Sequence, residues 1–202
     1  YLGYANSFGT LLVSICAPIL GTIGDFRGLK KRLFTFFIIL GIAFTAMLAV
    51  VPSNQWLILL ICYIITVIGF GGANIFYDAF LVDVTSEERM NKISARGFAM
   101  GYIGSTIPFI IGIALILLSQ QGVLPLSVTV STQIAFAITA IWWGTFTIPM
   151  LKNVEQVYYV ERVAKPISTS FKKVFQTLKR IKAYRPLFLF LIAYLFYIDG
   201  VH

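Results

Sequence analysis

The sequence predicts an all-α integral membrane protein, and three observations carry that prediction. The first is composition: of 202 residues, 58% are hydrophobic and only 12% charged, with a mean hydropathy of +0.87. A soluble domain carries roughly 25% charged and 45–50% apolar residues, and a chain this short would still need a polar surface in water. The second is the placement of charge. All 16 Lys and Arg fall in three clusters, Arg27–Arg32, Arg89–Arg96 and Lys152–Arg185. The third is what separates the clusters: uncharged runs of 24 residues (Tyr1–Gly24), 45 (Leu33–Tyr77) and 55 (Gly97–Leu151). One bilayer crossing takes about 20 apolar residues, so the first run holds one span and the others two each.

Helices are expected at about 2–24, 33–51, 56–82, 97–118 and 131–150, with a partial sixth from 187 onward. Only helices satisfy their own backbone in lipid, and the strand alternation of a barrel is absent. The second run turns at Pro52-Ser53-Asn54-Gln55, the third within Ser119–Thr132, which contains Gly122 and Pro125. This threading puts every basic cluster on one side and leaves both opposite turns without Lys or Arg, so the basic side is cytoplasmic. The net charge of +8 is then one positive face of a membrane slab, and nucleic acid is not an expected partner. Gly97, Gly101 and Ser105 form a small-xxx-small face suited to close helix packing. Pro18, Pro108 and Pro149 are candidate kinks.

Two cytoplasmic segments carry further pattern. Thr85-Ser86-Glu87-Glu88 reads as a capping box, with Glu88 three residues after Thr85, and predicts a short helix presenting Arg89, Lys92 and Arg96 to water or headgroups. Lys152–Arg185 holds nine basic residues and two acids, Glu155 and Glu161. Within it Phe171, Val174, Phe175, Leu178 and Ile181 recur at helical spacing among lysines and arginines. That pattern predicts a basic amphipathic helix over about 168–184, lying on the anionic inner leaflet.

The chain opens at Tyr1 without an initiator Met or a basic leader, so Tyr1–Gly24 reads as a whole span and not as a signal peptide. The last apolar segment, Leu187–Val201, is about 22 Å long at helical rise, short of a core of about 30 Å. The expectation is a piece of a longer protein. Cys16 and Cys62 fall inside predicted spans, and the single His202 is terminal. No metal site or cofactor is expected, and no nucleophile–base constellation of an enzyme is visible.

Ionisable groups inside spans are costly and usually functional. Asp199 lies about 18 Å from the cytoplasmic end near Leu187, close to the midplane. Asp78 lies only about 7–8 Å in from Asp83, in a cytoplasmic vestibule. Asn74 sits one turn deeper on the same face.

The turn Gly21-Thr22-Ile23-Gly24-Asp25-Phe26-Arg27-Gly28-Leu29-Lys30-Lys31-Arg32 resembles the major facilitator superfamily signature G-x-x-x-D-[RK]-x-G-x-[RK]-[RK]. Gly21, Asp25, Gly28, Lys30 and Lys31 match; Phe26 departs, with the charge displaced to Arg27. The stretches Phe76–Asp83, Ser94–Gly104 and Phe190–Val201 look like the vacuole effluxer-like branch, which includes autophagy-related amino-acid permeases and bacterial relatives. The resemblance implies a major facilitator-type N-terminal half. Residues 1–151 would be helices two to six, 152–186 the central cytoplasmic linker, and 187–202 the start of helix seven, with the C-terminal half of the same chain as partner.

The resemblance implies export of a small solute, an amino acid or similar; together with the intramembrane carboxylates the expectation is a secondary active transporter working by alternating access with proton coupling. Asp199 would bind the proton or a substrate amine, Asn74 and Tyr77 would line the path, Asp78 would act as a vestibule relay, and Gly21, Asp25, Gly28, Lys30 and Lys31 would form a conformational latch. The membrane would be the cell (inner) membrane of a bacterium or a vacuolar-type membrane of a fungus. The rival reading is a non-transporting scaffold or sensor on the same bundle.

Overall fold

The computed structural model describes residues 1–161, 166–181, 186, 188–190 and 193. Among them the chain is helical: α1 (Leu2–Gly24), α2 (Leu29–Val50), α3 (Trp56–Ala79), the one-turn α4 (Leu81–Val84), α5 (Glu87–Gln120), α6 (Val128–Asn153) and α7 (Pro166–Ile181). Five of these, α1, α2, α3, α5 and α6, are long and apolar enough to cross a membrane, as the uncharged runs predict. Most of the partial sixth span, Asp199 included, lies outside the described residues.

The differences from the expected boundaries have local causes. α2 starts four residues early because Lys30, Lys31 and Arg32 are wound into its first turn. The short cytoplasmic helix and the fourth span are one continuous helix, α5, of 34 residues, about 51 Å at helical rise. It therefore projects past the bilayer core at its charged end. The capping box does not form: the N-cap is Ser86, with no side-chain hydrogen bond. Thr85 is extended (φ −151°, ψ 160°), one residue outside the cap, so the third helical position is Arg89 and not Glu88. Glu87 and Glu88 still occupy the first turn, where the helix dipole favours acids.

α2 is central, packed against α3 on one side and α6 on another; α1 packs on α3, α5 on α6, and α7 on α1. The α2–α3 approach is made by glycines. A Cβ on Gly69 would lie 2.5 Å from the Gly41 Cα and 3.0 Å from the Phe37 carbonyl oxygen, so only glycine permits this backbone spacing. Toward the charged end the same pair widens to hold a cluster of Phe34, Phe37, Ile38, Ala73, Phe76 and Phe80. Phe37 stacks on Phe76 at 6.0 Å between centroids, and Phe34 meets Phe80 edge-on at 5.8 Å. At the uncharged end, Ser119 and Ser131 share a buried hydrogen bond between α5 and α6. There the Gln133 amide donates to the Val51 carbonyl at 3.4 Å.

Candidate functional site

The charged end is organised around a lysine that the sequence shows only as one of a basic triplet. Lys30 sits in the first turn of α2 and is 3% exposed. Its Nζ donates to Asp83 Oδ2 at 2.8 Å and to the Ala79 carbonyl at 3.1 Å, and lies 5.5 Å from the centre of the Phe80 ring. Asp83, on α4, is fully enclosed at its side chain. Its second oxygen, Oδ1, accepts the backbone N–H groups of Val157 and Tyr158, each at 2.9 Å. One carboxylate thus joins α2, the α3–α4 corner and the extended strap of residues 154–161 that follows α6. An enclosed carboxylate needs partners on both oxygens to offset its lost hydration, and here it has them.

Gln156 ties the same strap to the turn between α1 and α2. Its Oε1 accepts the Gly28 N–H at 2.9 Å, and its Nε2 donates to the Gly24 carbonyl at 3.0 Å. It therefore serves both the terminal carbonyls of α1 and the first amide of α2, groups that no helix can satisfy internally. Gly28 holds the left-handed conformation (φ 70°) that lets the turn close. The strap then pairs with the turn in a short parallel bridge: Val160 N–H donates to the Asp25 carbonyl at 2.8 Å, and Arg27 N–H to the Val160 carbonyl at 3.0 Å. Phe26, where the resembling signature carries a cation, is fully buried. The displaced cation, Arg27, pairs at the surface with Glu161 at 3.6 Å and covers the Tyr159 ring at 5.1 Å.

The five residues read as a latch thus occupy different positions. Gly21 is half-buried and faces open space. Asp25 is exposed and contributes its backbone carbonyl. Gly28 and Lys30 are at the junction just described. Lys31 lines an open cleft of about 620 Å³ beside it, together with Arg32, Glu155 and Gln156. Asp83 and Gln156 complete the junction and were not singled out as latch residues by sequence reasoning. The available signal was an acid ending the third span on the same side as the basic triplet, since a carboxylate at a packed, cationic end requires a partner.

The second region lies within the membrane-spanning part. Tyr63, Thr66, Phe70, Asn74 and Tyr77 share one face of α3 by helical spacing. Asn74 and Asp78 are exposed, and Tyr77 is 49% exposed. The Asp78 carboxyl makes no hydrogen bond or ion pair among the described residues. The Tyr77 hydroxyl points toward α5, near Gly97. Further along α3, a groove of about 420 Å³ separates it from α1, with Asn6, Thr10, Ser14 and Thr66 as its polar lining and Val67 and Phe70 among its apolar walls. The Tyr63 hydroxyl donates to Asn6 Oδ1 at 3.2 Å. The Thr66 hydroxyl is buried and has no hydrogen-bond partner. That is unusual in this bundle: Thr35, Thr45, Thr139, Thr145 and Thr147 all donate to the carbonyl four residues back. Sequence reasoning passed over Asn6, Thr10 and Ser14, although their four-residue spacing in an apolar span was legible. No group of three or more potential metal ligands occurs among the described residues.

Five lipid-length helices packed through glycines, with a buried ion pair at their charged ends and a polar groove between two of them, describe a multi-pass membrane protein. The chain belongs to the vacuole effluxer Atg22-like family, whose family model matches residues 1–202. It is 59% identical over 201 residues to the "Uncharacterized MFS-type transporter YxiO" of Bacillus subtilis (strain 168), covering 100% of this chain and 47% of that protein. It is also 32% identical over 109 residues to an uncharacterized protein of Aquifex aeolicus (strain VF5), covering 53% of this chain and 28% of that protein. The chain thus spans less than half the length of either relative. No solved structure matches it.

Proposed function

We propose that the chain is half of a secondary active transporter that moves a small polar solute by alternating access. The observation that carries the reading is the α1–α3 groove, with a buried, unpartnered Thr66 hydroxyl. An unpaired polar group in a membrane span costs free energy, and a passing solute that accepts or donates a hydrogen bond there would offset that cost. The groove lining carries no charged side chain, which suits a neutral or zwitterionic solute such as an amino acid. Asn74 and Tyr77 continue the polar face of α3 toward the cytoplasm, and Asp78 stands at the vestibule. Asp199, outside the described residues, is proposed from its sequence depth as the proton- or amine-binding carboxylate. The Lys30–Asp83 junction, with Gly21, Asp25, Gly28 and Lys31 around it, is the cytoplasmic latch. The family and relative names support transport as such; efflux, proton coupling and a cell-membrane or vacuolar location belong to this proposal.

The test is uptake by the full-length protein in inverted vesicles or proteoliposomes, screened over amino acids and similar solutes with and without a pH gradient. Thr66→Val should raise the solute KM several-fold while leaving protein yield intact. Asp199→Asn should abolish the response to the pH gradient. Unchanged, still pH-driven uptake in Asp199→Asn would remove that residue from the mechanism, and unchanged KM in Thr66→Val would remove the groove.

A further inference from the structure

The α1–α3 groove has a hydrogen-bonding polarity as well as a volume. Asn6, Thr10 and Ser14 recur at four-residue intervals, so they share one face of α1, and they line the groove together with Thr66 of α3. A serine or threonine hydroxyl in a helix can donate to the carbonyl four residues back, as Thr22 of α1 does onto Pro18. Thr10, Ser14 and Thr66 make no such bond, nor any other side-chain hydrogen bond among the described residues. Asn6 is engaged through its acceptor: Oδ1 takes the Tyr63 hydroxyl at 3.2 Å, which leaves the two N–H donors of Nδ2 unspent. Four side chains with unspent donors therefore line one groove of about 420 Å³, and no Lys, Arg, Asp or Glu stands among them. Close helix contacts fix the spacing of the two walls. A Cβ on Gly9 would lie 2.9 Å from Val67 Cγ1, and one on Gly71 3.0 Å from Val13 Cγ1.

A ring of donors selects for an acceptor. A carboxylate accepts at about four lone-pair sites and donates nothing, whereas an ammonium only donates and would meet the N–H groups of Asn6 head-on. Neutral donors also hold a carboxylate without a buried counter-ion, since hydrogen bonds to the charged form favour it. We infer that the groove binds the carboxylate end of its solute, through Asn6 Nδ2 and the hydroxyls of Thr10, Ser14 and Thr66. Tyr63 is the positioning residue that keeps Asn6 turned as a donor. The assignment rests on the reading of this groove as the solute site and adds which chemical group is recognised there.

The test is protection of a groove cysteine in the full-length protein in proteoliposomes. Val13→Cys, combined with Cys16→Ala and Cys62→Ala, is labelled with N-ethylmaleimide in the presence of alanine, propionate or alaninamide. Alanine and propionate share the carboxylate; alanine and alaninamide share the ammonium and the size. Both carboxylates should slow labelling at concentrations about tenfold below those that alaninamide requires, because hydrogen bonds to a charged acceptor are the stronger ones. Asn6→Asp keeps the oxygen that Tyr63 engages but replaces the two donors with a second carboxylate oxygen, so it should turn the preference toward alaninamide. Tyr63→Phe should reduce the carboxylate preference several-fold while leaving the labelling rate without any probe unchanged, which a merely structural role would alter. Equal protection by alanine and alaninamide, no protection by either carboxylate, or a preference that survives Asn6→Asp would overturn the proposal. Carboxylate protection in a protein that takes up no solute would uphold the carboxylate site and sink the transport reading instead.

Discussion

The α2–α3 pair and α5 are both apolar enough to span a membrane, yet they are packed in opposite ways. α2 buries Lys30, Phe34, Phe37, Ile38, Gly41, Thr45 and Leu48. α5, half again as long, buries only Gly112 and Ser119, while Phe98, Met100, Tyr102, Ile103 and Phe109 stand 61–74% exposed. Hydrophobicity in a membrane protein reports the solvent and not the core, because lipid tails are as apolar as leucine. What separates the two regions is the pattern of small residues that meet a neighbour and the polar groups that find one. Gly69 touches backbone, whereas Gly101 and Gly104 meet nothing within 4 Å.

The largest expected effect breaks the tight region at its charged end. Asp83→Asn leaves the Lys30 ammonium enclosed without a counter-charge. Removing one member of a buried pair typically costs about 3–5 kcal/mol. Thermal unfolding in detergent should fall accordingly for Asp83→Asn and for Lys30→Met, and a double-mutant cycle should show strong coupling. Losses that add without coupling would mean that Lys30 and Asp83 act separately, and the pair would not be what holds the strap.

That pair also shows where legibility ended. The spans and the amphipathic helix could be read because each follows from one-dimensional statistics: uncharged length and a helical repeat. The junction depends on residues 53 positions apart, Lys30 and Asp83, and on Gln156 reaching back 128 to Gly28. No local pattern encodes those distances. The capping box failed on the smallest scale: Thr85 and Ser86 are both residue types that cap helices, and α5 begins after the second. Thr66 was hidden for another reason. A threonine in a span is ordinarily silent because it bonds back to its own helix, and only the structure shows that this one does not.

The next effect tests the contrast itself. Gly69→Ala would place a Cβ against the Gly41 backbone, and overpacking of a close helix contact costs about 1–3 kcal/mol. Gly104→Ala on α5 should change stability by no more than about 0.5 kcal/mol in the same unfolding assay, because its Cβ would meet nothing within 4 Å. If the two variants lose equal stability in the full-length protein, α5 is as tightly enclosed as α3 by a segment beyond the described residues, and the contrast between the regions disappears.

The smallest effect separates the two ion pairs of the charged end. Arg27 and Glu161 sit 3.6 Å apart with side chains 63% and 76% exposed, so water and salt screen their attraction. Glu161→Ala should cost at most about 0.2–1 kcal/mol, and less as salt is raised. The strap should stay in place, because its N–H groups at Val157 and Tyr158 remain on Asp83 and Gln156 still spans the turn. Exchange of the Val157 and Tyr158 amides reads this directly. Protection that holds in Glu161→Ala but collapses in Asp83→Asn assigns the closure of the charged end to the enclosed pair. Collapse in both would mean that the strap is held from its exposed end, and that the buried carboxylate follows the strap instead of fixing it.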